Sequence, residues 1–391
     1  MKKTTTLVLA LVMAASLVLT GCGKTEQPAE GGSAGSETGG SQGGTIKIGV
    51  LTPKTGDLAQ YGMAVENAAK LAVKEANDAG GINGMTVELV IYDNEGDATK
   101  SVNLFNRLIE NDKIDALLGP VISGTSLAVA PLADEAGIPM ITPTGTNEDI
   151  TPDYPYVFRA CYIDPYQGQI MGKFASENIS AKTAVVMVNV GSDYSVGLGK
   201  NFKVSFEEKG GSVLAEENYT DSDTDFKAIL TNIKAKNPDV VYIGDYYNAV
   251  GNILSQAKEI GLDAQFLGSD GWDGVQVDYI DVAEGGFFTN HYSTKDTDPV
   301  VQNFIKNYTD TYNETPNALA ALGYDGALIL MDAFRNAGST DKEAVLEAIR
   351  TTDLNGVTGH ITFDELGNPI KDISIIKIQD GDMVLETKLS E

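Results

Sequence analysis

Small hydroxyl residues follow two apolar segments of this sequence, SGTS at residues 123–126 and PTGTN at residues 143–147. The preceding segments, residues 114–118 and 138–142, predict two short buried strands with a helix between them. Parallel strands place their carboxyl ends at one edge of a sheet, where ligands of open α/β folds bind. Hydroxyls and free N–H groups at a helix start would bind an anion there.

The anion predicted at these loops is a carboxylate. The sequence has no Lys or Arg between Lys113 and Arg159, so this segment offers no formal positive charge. Hydroxyls and backbone dipoles suit a carboxylate better than a polyphosphate. The alternative is that Ser123 and Thr125 only cap the predicted helix.

A second group of polar and aromatic residues follows predicted strands in the second half of the chain. Tyr194 comes after VNVGSD, Tyr246 after VVYIGD and Asp270 after FLGS. A buried acid at such an edge suits an ammonium group, because an unpaired charge in a dry pocket is costly. Asp245 and Asp273 compete with Asp270 for this role, and Asp270 also fits an ordinary turn residue.

The elements that position these residues alternate between strands and helices. The strand TIKIGVLT at residues 45–52 precedes an amphipathic helix at residues 63–79, which Gly80 and Gly81 end. The same rhythm recurs after Asp164. We therefore predict an α/β protein with two doubly wound parallel-sheet lobes.

Composition and charge exclude several classes of protein. With 391 residues, 42% hydrophobic and 21% charged, the chain is long enough for two globular domains. The formal net charge of -27, with 28 scattered Lys and Arg, argues against nucleic acid. The sequence has no phosphate loop, nucleophile elbow or cluster of zinc ligands, so we predict no cofactor, no metal and no catalysis.

Cysteine and histidine are scarce. Cys161 lies in an apolar run with no neighbouring His, so we expect a buried thiol rather than a nucleophile. The only other cysteine, Cys22, belongs to the N-terminal motif described next, so we predict no internal disulfide. His291 and His360, the only histidines, lie far apart in sequence and are expected to be structural or exposed.

The N-terminus predicts export and lipid attachment. Residues 1–21 carry two lysines and then an apolar core that is too short for a comfortable membrane span, as in a secretory signal peptide. The LTGC motif resembles a bacterial lipobox, which would place lipid on Cys22. Residues 22–44 are rich in Gly, Ser and Glu and predict a flexible tether.

The loops of the predicted anion site carry a family resemblance. Residues 118–151 contain the patterns GPxxSG and AxxAGIPxIxPxxT, which resemble the type I periplasmic binding proteins of branched-chain amino acid transporters. The resemblance extends from about Ile46 to the C-terminus. It implies a three-crossover hinge that joins lobe 1, residues 45–164 plus 293–369, to lobe 2, residues 165–292 plus 370–391.

The resemblance assigns roles to the polar residues. In that family the positions of Ser123, Thr144 and Thr146 hold the α-carboxylate of the ligand, and the two threonines share in its ammonium. The acid at the position of Asp270 pairs with the ammonium. Leucine-binding members commonly have Glu there, so the shorter Asp270 has less reach.

The resemblance also assigns the walls of the pocket. Tyr61 matches the tyrosine of the pattern TGxxAxYG, and Tyr194, Tyr246, Leu319 and Tyr324 lie at positions that border the ligand. The alternative for Tyr61 is an exposed loop tyrosine. The helical spacing of Leu319 and Tyr324 also fits plain core.

Together these features predict an extracytoplasmic, lipid-anchored receptor that captures an aliphatic amino acid between two lobes. The resemblance implies delivery to the permease and ATPase subunits of an ABC importer, and we expect a monomer. A different ligand class for the same fold is a short amide, urea or an aromatic acid. A sensory receptor that docks on a membrane sensor and an extracellular lipoprotein enzyme also remain compatible with the sequence.

Overall fold

The computed structural model describes residues 43–390. The predicted signal peptide, Cys22 and most of the predicted tether lie outside the described residues. None of the helices within residues 43–390 is both long enough and apolar enough to cross a membrane.

Strands and helices alternate along most of the described chain. The first elements are β1 (Thr45–Thr52), α1 (Ala59–Asp78), β2 (Thr86–Asp93), α2 (Ala98–Arg107), β3 (Ala116–Leu118), α3 (Ser123–Glu135), β4 (Met140–Thr142) and β5 (Val157–Arg159). The next are α4 (Asp164–Glu177), β6 (Thr183–Asn189), α5 (Asp193–Glu208), β7 (Ser212–Tyr219), α6 (Lys227–Lys236), β8 (Val240–Ile243), α7 (Tyr247–Ile260), β9 (Gln265–Gly268), α8 (Val275–Asp278), α9 (Ile280–Ala283) and β10 (Phe287–Asn290). The last are α10 (Pro299–Tyr312), α11 (Ala318–Ala337), α12 (Lys342–Arg350), β11 (Leu354–Gly356), β12 (Gly359–Ile361), β13 (Ile373–Gln379) and β14 (Asp382–Leu389).

Two parallel sheets share one strand order. The first sheet pairs β2-β1-β3-β4-β5, and the parallel part of the second pairs β7-β6-β8-β9-β10. In each sheet the strand order reverses beside the first strand, between β1 and β3 and between β6 and β8. Such a switch point opens a crevice at the carboxyl ends of the strands. The predicted doubly wound α/β fold is confirmed.

The second sheet differs from a purely parallel one at its edge. β13 pairs antiparallel with β10, and β14 pairs antiparallel with β13. The turn between β13 and β14 is Asp380-Gly381, and both residues have positive φ, 56° and 73°. An Asp-Gly pair adopts this two-residue hairpin turn readily, because Asp tolerates positive φ better than most residues and Gly has no Cβ.

The chain crosses between the sheets three times, after β5, after β10 and after β12, which forms the predicted three-crossover hinge. We call the first sheet with α1–α3 and α10–α12 the first lobe, and the second sheet with α4–α9 the second lobe. α11 packs closely on α1. Gly323 allows this approach, because a Cβ there would lie 2.9 Å from Cα of Val65.

The two lobes contact each other across the cleft. The Tyr61 hydroxyl, in the first lobe, donates to the carbonyl of Gly271 and accepts from the backbone N–H of Tyr247 at 3.2 Å. The hydroxyl of Tyr247 donates in return to the carbonyl of Asp57 at 2.7 Å. The structure therefore shows a closed form of the molecule.

Candidate functional site

A cavity lies between the lobes, where the switch points of the two sheets face each other. The space between its walls, part of it open to solvent, is ≈ 300 Å³. Its walls come from the starts of helices and from loops after strands: Tyr61, Val121, Ile122, Ser123, Thr144, Tyr194, Tyr246, Asp270, Gly271 and Leu319.

Most of the residues that the sequence assigned to a ligand line this one cavity. They come from both lobes and are Tyr61, Ser123, Thr144, Tyr194, Tyr246, Asp270 and Leu319. Thr146 and Tyr324 are not among the lining residues. The assignment of these residues to a ligand remains a prediction.

Tyr324 lies on another face of α11 from Leu319. Its hydroxyl donates to a carboxylate oxygen of Glu75 in α1, and its ring contacts that of Phe304 at 5.0 Å between centroids. Five residues advance a helix by about 140°, so a residue at this spacing cannot share the face of Leu319. The structure therefore places Tyr324 in helix packing and not among the residues that line the cavity, and its assignment to the ligand stays a prediction.

Thr146 follows the lining residue Thr144 in the same loop. Its side chain is fully buried, and Oγ1 has no partner with ordinary hydrogen-bond geometry among the described residues. The hydroxyl faces Asp164 and acts to lower the pKa of that carboxyl. An unsatisfied hydroxyl of this kind is costly unless a ligand or a water molecule completes it.

The first-lobe wall is the start of α3. Ile122 occupies the N-cap position and has no side chain that could accept a hydrogen bond from the first N–H groups. The Thr125 hydroxyl donates to the Ile122 carbonyl at 3.0 Å, so it does not cap these donors either. Ser123 Oγ accepts from the N–H of Asn147 at 3.3 Å, and Thr144 donates to the carbonyl of Val121. The first N–H groups of this helix have no side-chain cap, and together with the positive end of the helix dipole they suit an anion.

A buried guanidinium supports this wall from behind. Arg159 is fully buried, and its Nη1 donates to the carbonyls of Gly145 at 3.0 Å and Asn147 at 2.8 Å. Its Nη2 donates to Thr151 Oγ1 at 3.2 Å. These acceptors are uncharged oxygens, so the three bonds do not neutralise the charge. The sequence indicated no positive charge here, because Arg159 lies beyond the segment that carries the two hydroxyl loops.

The second-lobe wall is Asp270, whose two carboxylate oxygens are both held in place. Oδ1 accepts from the hydroxyl of Tyr194 at 2.6 Å, and Oδ2 lies 3.0 Å from Nε2 of His291. The backbone N–H of Asp270 donates to Oε1 of Gln167 at 3.3 Å. Asp270 is 8% exposed, and it faces the first-lobe wall across the cavity.

The two competing acids are used in structural bonds. Asp245 accepts from the hydroxyl of Tyr219 at 2.7 Å and from the N–H of Tyr246 at 2.8 Å, and burial raises its pKa to about 6. Asp273 accepts from the N–H of Ala318 at 2.7 Å, which ties the second lobe to α11. Neither acid lines the cavity.

A third acid lies at the first crossing between the lobes. Asp164 is fully buried, Oδ1 accepts from Nε2 of Gln167 at 3.0 Å, and Oδ2 has no hydrogen-bonding partner among the described residues. Burial, together with the charge of Asp270, raises the pKa of Asp164 to about 8, although the Thr146 hydroxyl acts to lower it. The sequence did not indicate a role for Asp164, because an Asp three residues before a Gln is not a recognisable motif.

Three tyrosine rings enclose one side of the cavity. Tyr194 and Tyr246 stack with 4.8 Å between centroids, and the edge of Tyr61 meets Tyr246 at 5.9 Å. Apolar side chains of Val121 and Leu319 complete the lining. This surface suits an apolar group of a ligand rather than a second charge.

Cys161 and His360 are not among the residues that line the ligand cavity. The thiol of Cys161 is buried, it donates to the carbonyl of Gly145 at 3.3 Å, and burial raises its pKa to about 12. His360 is exposed and lies 2.8 Å from Asp353. Within residues 43–390 no group of three or more His, Cys, Asp or Glu side chains could hold a metal ion.

Comparisons with known proteins extend over nearly all of the described chain. The family described as periplasmic binding protein matches residues 45–382. The leucine-, isoleucine-, valine-, threonine- and alanine-binding protein of Pseudomonas aeruginosa is 33% identical over 328 residues, which cover 83% of this chain and 87% of that protein.

Solved structures show the same similarity. A leucine-binding protein from Thermotoga maritima superposes with a TM-score of 0.83 at 37% identity, covering 88% of this chain and 99% of that chain. A branched-chain amino acid transporter substrate-binding protein from Streptococcus pneumoniae, in complex with isoleucine, has a TM-score of 0.83 at 34% identity, covering 88% and 98%. A solute-binding protein of R. palustris in complex with benzoate has a TM-score of 0.82 at 25% identity, covering 88% and 96%.

Proposed function

This chain belongs to the periplasmic binding protein family, and we propose that it is an extracytoplasmic receptor for an aliphatic amino acid. The receptor would deliver that amino acid to the permease and ATPase subunits of an ABC importer. The Pseudomonas aeruginosa relative is named for binding leucine, isoleucine, valine, threonine and alanine, and the Streptococcus pneumoniae structure contains isoleucine. Both support the proposal.

One observation carries the proposal. A single small cavity has uncharged donors for an anion on one wall, at the hydroxyl of Ser123 and the start of α3, and a carboxylate on the other, at Asp270. The two walls match the α-carboxylate and the ammonium of one amino acid. A side chain of aliphatic character would lie against Val121 and Leu319.

Asp270 also argues against the aromatic acids that one structural neighbour takes. Benzoate has a carboxylate but no ammonium, so its binding would leave Asp270 buried without a cationic partner. A desolvated carboxylate that lacks a counter-charge costs roughly several kcal/mol. Short amides and urea are disfavoured for the same reason.

Closure of the cleft follows from the same geometry. Each lobe supplies one half of the contacts to a zwitterion, so the ligand binds the closed form more tightly than the open form. The contacts of Tyr61 with Gly271 and Tyr247 already join the lobes in the closed form. The importer would recognise the closed form.

The proposal extends to the parts that flank the cavity. The lobe boundaries are kept at residues 45–164 plus 293–369 and residues 165–292 plus 370–391, which the membership of each strand in its sheet supports. A signal peptide at residues 1–21 and lipid on Cys22 would anchor the receptor to the membrane. The receptor would be a monomer that binds its ligand without transforming it.

The decisive experiment identifies the ligand and then measures its affinity. Mass spectrometry of small molecules that copurify with the protein would name the natural cargo. Calorimetric titration would then compare leucine, isoleucine, valine and alanine with acetamide and benzoate. We expect a branched-chain amino acid to bind at least about a hundredfold more tightly than benzoate, which a difference of about 2.7 kcal/mol provides.

Two outcomes would contradict the proposal. Tighter binding of benzoate or acetamide than of every amino acid would replace the ligand class. Recovery of a chemically altered amino acid after incubation would replace binding with catalysis. A Cys22→Ser variant that stays in the membrane fraction would remove the lipid anchor from the proposal without affecting the ligand.

A further inference from the structure

One buried titratable side chain beside the cavity has no role in the proposed function. His291 lies in the second crossing between the lobes and is 5% exposed. Its Nε2 is 3.0 Å from Oδ2 of Asp270. Its ring stacks on that of Tyr162 with 3.8 Å between centroids and an interplanar angle of 21°. The imidazole is therefore held in one orientation behind the acid.

The surroundings of His291 determine its tautomer. Nε2 faces a carboxylate, whereas Nδ1 is buried without a hydrogen-bonding partner among the described residues. A neutral ring therefore carries its proton on Nε2 and donates it to Asp270. A second proton on Nδ1 would be buried with no acceptor. Burial accordingly lowers the pKa of His291 below its usual value, although Asp270 opposes this.

We propose that His291 is a positioning residue that orients Asp270 toward the ligand ammonium and makes the affinity for the ligand depend on pH. This inference rests on the proposed function. The neutral ring donates to Asp270 and leaves its full negative charge for the ammonium. The imidazolium would neutralise Asp270 and repel the ammonium. Affinity therefore falls as the pH falls through the titration of His291, and binding at acid pH releases a proton.

His291 also lines a second cavity at the hinge, ≈ 2040 Å³ including space open to solvent. The ring thus forms part of the wall between the ligand cavity, where it holds Asp270, and the hinge cavity.

Other charged groups affect the same ring. Asp273 acts to raise the pKa of His291, and Lys371 acts to lower it. The hinge cavity adds further titratable side chains, which are Asp296, Asp298, Asp364, Asp372, His360 and Lys388. Asp164 also titrates near the ligand. A pH profile of the wild type alone therefore mixes several groups, whereas the difference from a variant isolates His291.

The test compares two matched histidine variants of the whole mature protein. His291→Gln keeps a neutral donor at every pH, and His360→Gln changes the exposed histidine, which lies next to Asp353. Calorimetric titration with leucine, isoleucine and valine would be made between about pH 5 and pH 8. Below the pH at which His291 titrates, we expect the wild type and His360→Gln to lose up to about tenfold in affinity per pH unit. This loss should exceed any loss in His291→Gln.

The outcomes separate this inference from the proposed function. If affinity depends on pH in the same way, within about twofold, in His291→Gln and the wild type, the role of His291 is rejected and the proposed function is not affected. If the wild type binds none of the three amino acids at pH 8, the proposed function is rejected as well. Thermal unfolding of each variant would show that its fold is retained.

A second measurement applies even if His291→Gln does not fold. Because the chain has two histidines, the His360→Gln variant contains only His291. Its imidazole signals can be titrated by NMR with and without saturating leucine. We expect the ligand ammonium to shift the titration to lower pH. A titration that leucine leaves unchanged overturns the inference.

Discussion

The first lobe presents neutral donors to the cavity, whereas the second lobe presents a formal charge. Ser123, Thr144 and the start of α3 form the first wall, and the guanidinium behind them, that of Arg159, bonds the loop and does not line the cavity. Asp270 forms the charged part of the second wall. The first wall therefore depends on the placement of several backbone groups, and the second depends on one carboxylate.

This difference determines how each wall should respond to substitution. A wall made of many dipoles loses a fraction of its stabilisation when one hydroxyl is removed. A wall made of one desolvated charge loses most of it when that charge is removed. The expected losses of affinity therefore decrease from the carboxylate of the second wall to single groups of the first wall and then to residues outside the cavity.

Asp270→Ala should have the largest effect. Removal of one member of a desolvated charge pair typically costs about 2 to 5 kcal/mol, or roughly thirtyfold to a few thousandfold in affinity. Calorimetric titration with leucine measures the loss, and Asp263→Ala, at an exposed position of the same lobe, is the control. Equal affinities of the two variants would remove Asp270 from the site.

Thr146→Val tests the loop that carries Thr144 of the first wall, and it separates affinity from stability. We expect a loss of about 1 to 3 kcal/mol in ligand binding, because a ligand group would lose its hydrogen-bonding partner. Stability of the free protein should change little, since Oγ1 of Thr146 has no ordinary partner within the described residues.

Thr142→Val provides the matched control for Thr146. The hydroxyl of Thr142 donates to the carbonyl of Pro120 at 2.8 Å and lies 3.1 Å from Ser126 Oγ. Its removal should lower the free energy of unfolding by about 1 kcal/mol, with a smaller effect on affinity. A reversed pattern for the two threonines would show that Thr146 acts in folding and not in binding.

Arg159→Lys tests whether the first wall depends on its buried support. The lysine keeps the charge, but it cannot reproduce the forked contacts with Gly145, Asn147 and Thr151. We expect affinity to fall by about 1 to 2 kcal/mol through displacement of the loop. Arg335→Lys, an exposed pair with Asp332, serves as the control in the same titration.

Tyr324→Phe should have the smallest effect. The hydroxyl of Tyr324 bonds to Glu75 of α1, and neither residue lines the cavity, so affinity should stay within about 0.5 kcal/mol. Leu319→Ala in the same helix should instead lose about 1 to 3 kcal/mol for leucine, because it removes apolar contact. A larger loss for Tyr324→Phe than for Leu319→Ala would restore Tyr324 to the cavity wall.

Much of the fold was predictable because its signals are local. Alternating strands and amphipathic helices have periods of two and 3.6 residues, which can be counted in a short window. Asp380-Gly381 is an equally local signal for the final hairpin. The resemblance then selected candidate residues on both lobes, and their positions along α11 explain why Leu319 lines the cavity and Tyr324 does not.

The residues that the sequence did not reveal act through partners that are distant in the chain or lie behind the cavity. His291 meets Asp270 across 21 residues, and it stacks on Tyr162 from another crossing segment. Arg159 reaches back to the loop that carries Thr144 and Thr146. No periodicity connects such positions, because their contacts depend on how strands and crossings pack.

The sequence by itself determined the alternation of elements, the hydroxyl-rich loops at strand ends and the excess of acid over base. Only the tertiary structure decided which of several acids faces the cavity, because Asp245 and Asp273 are turned to partners outside it and only Asp270 of the three lines it. It also decided which charges stand behind the walls. Short-range periodicity follows from covalent geometry, whereas the pairing of distant side chains follows from the packing of two lobes around a shared cleft.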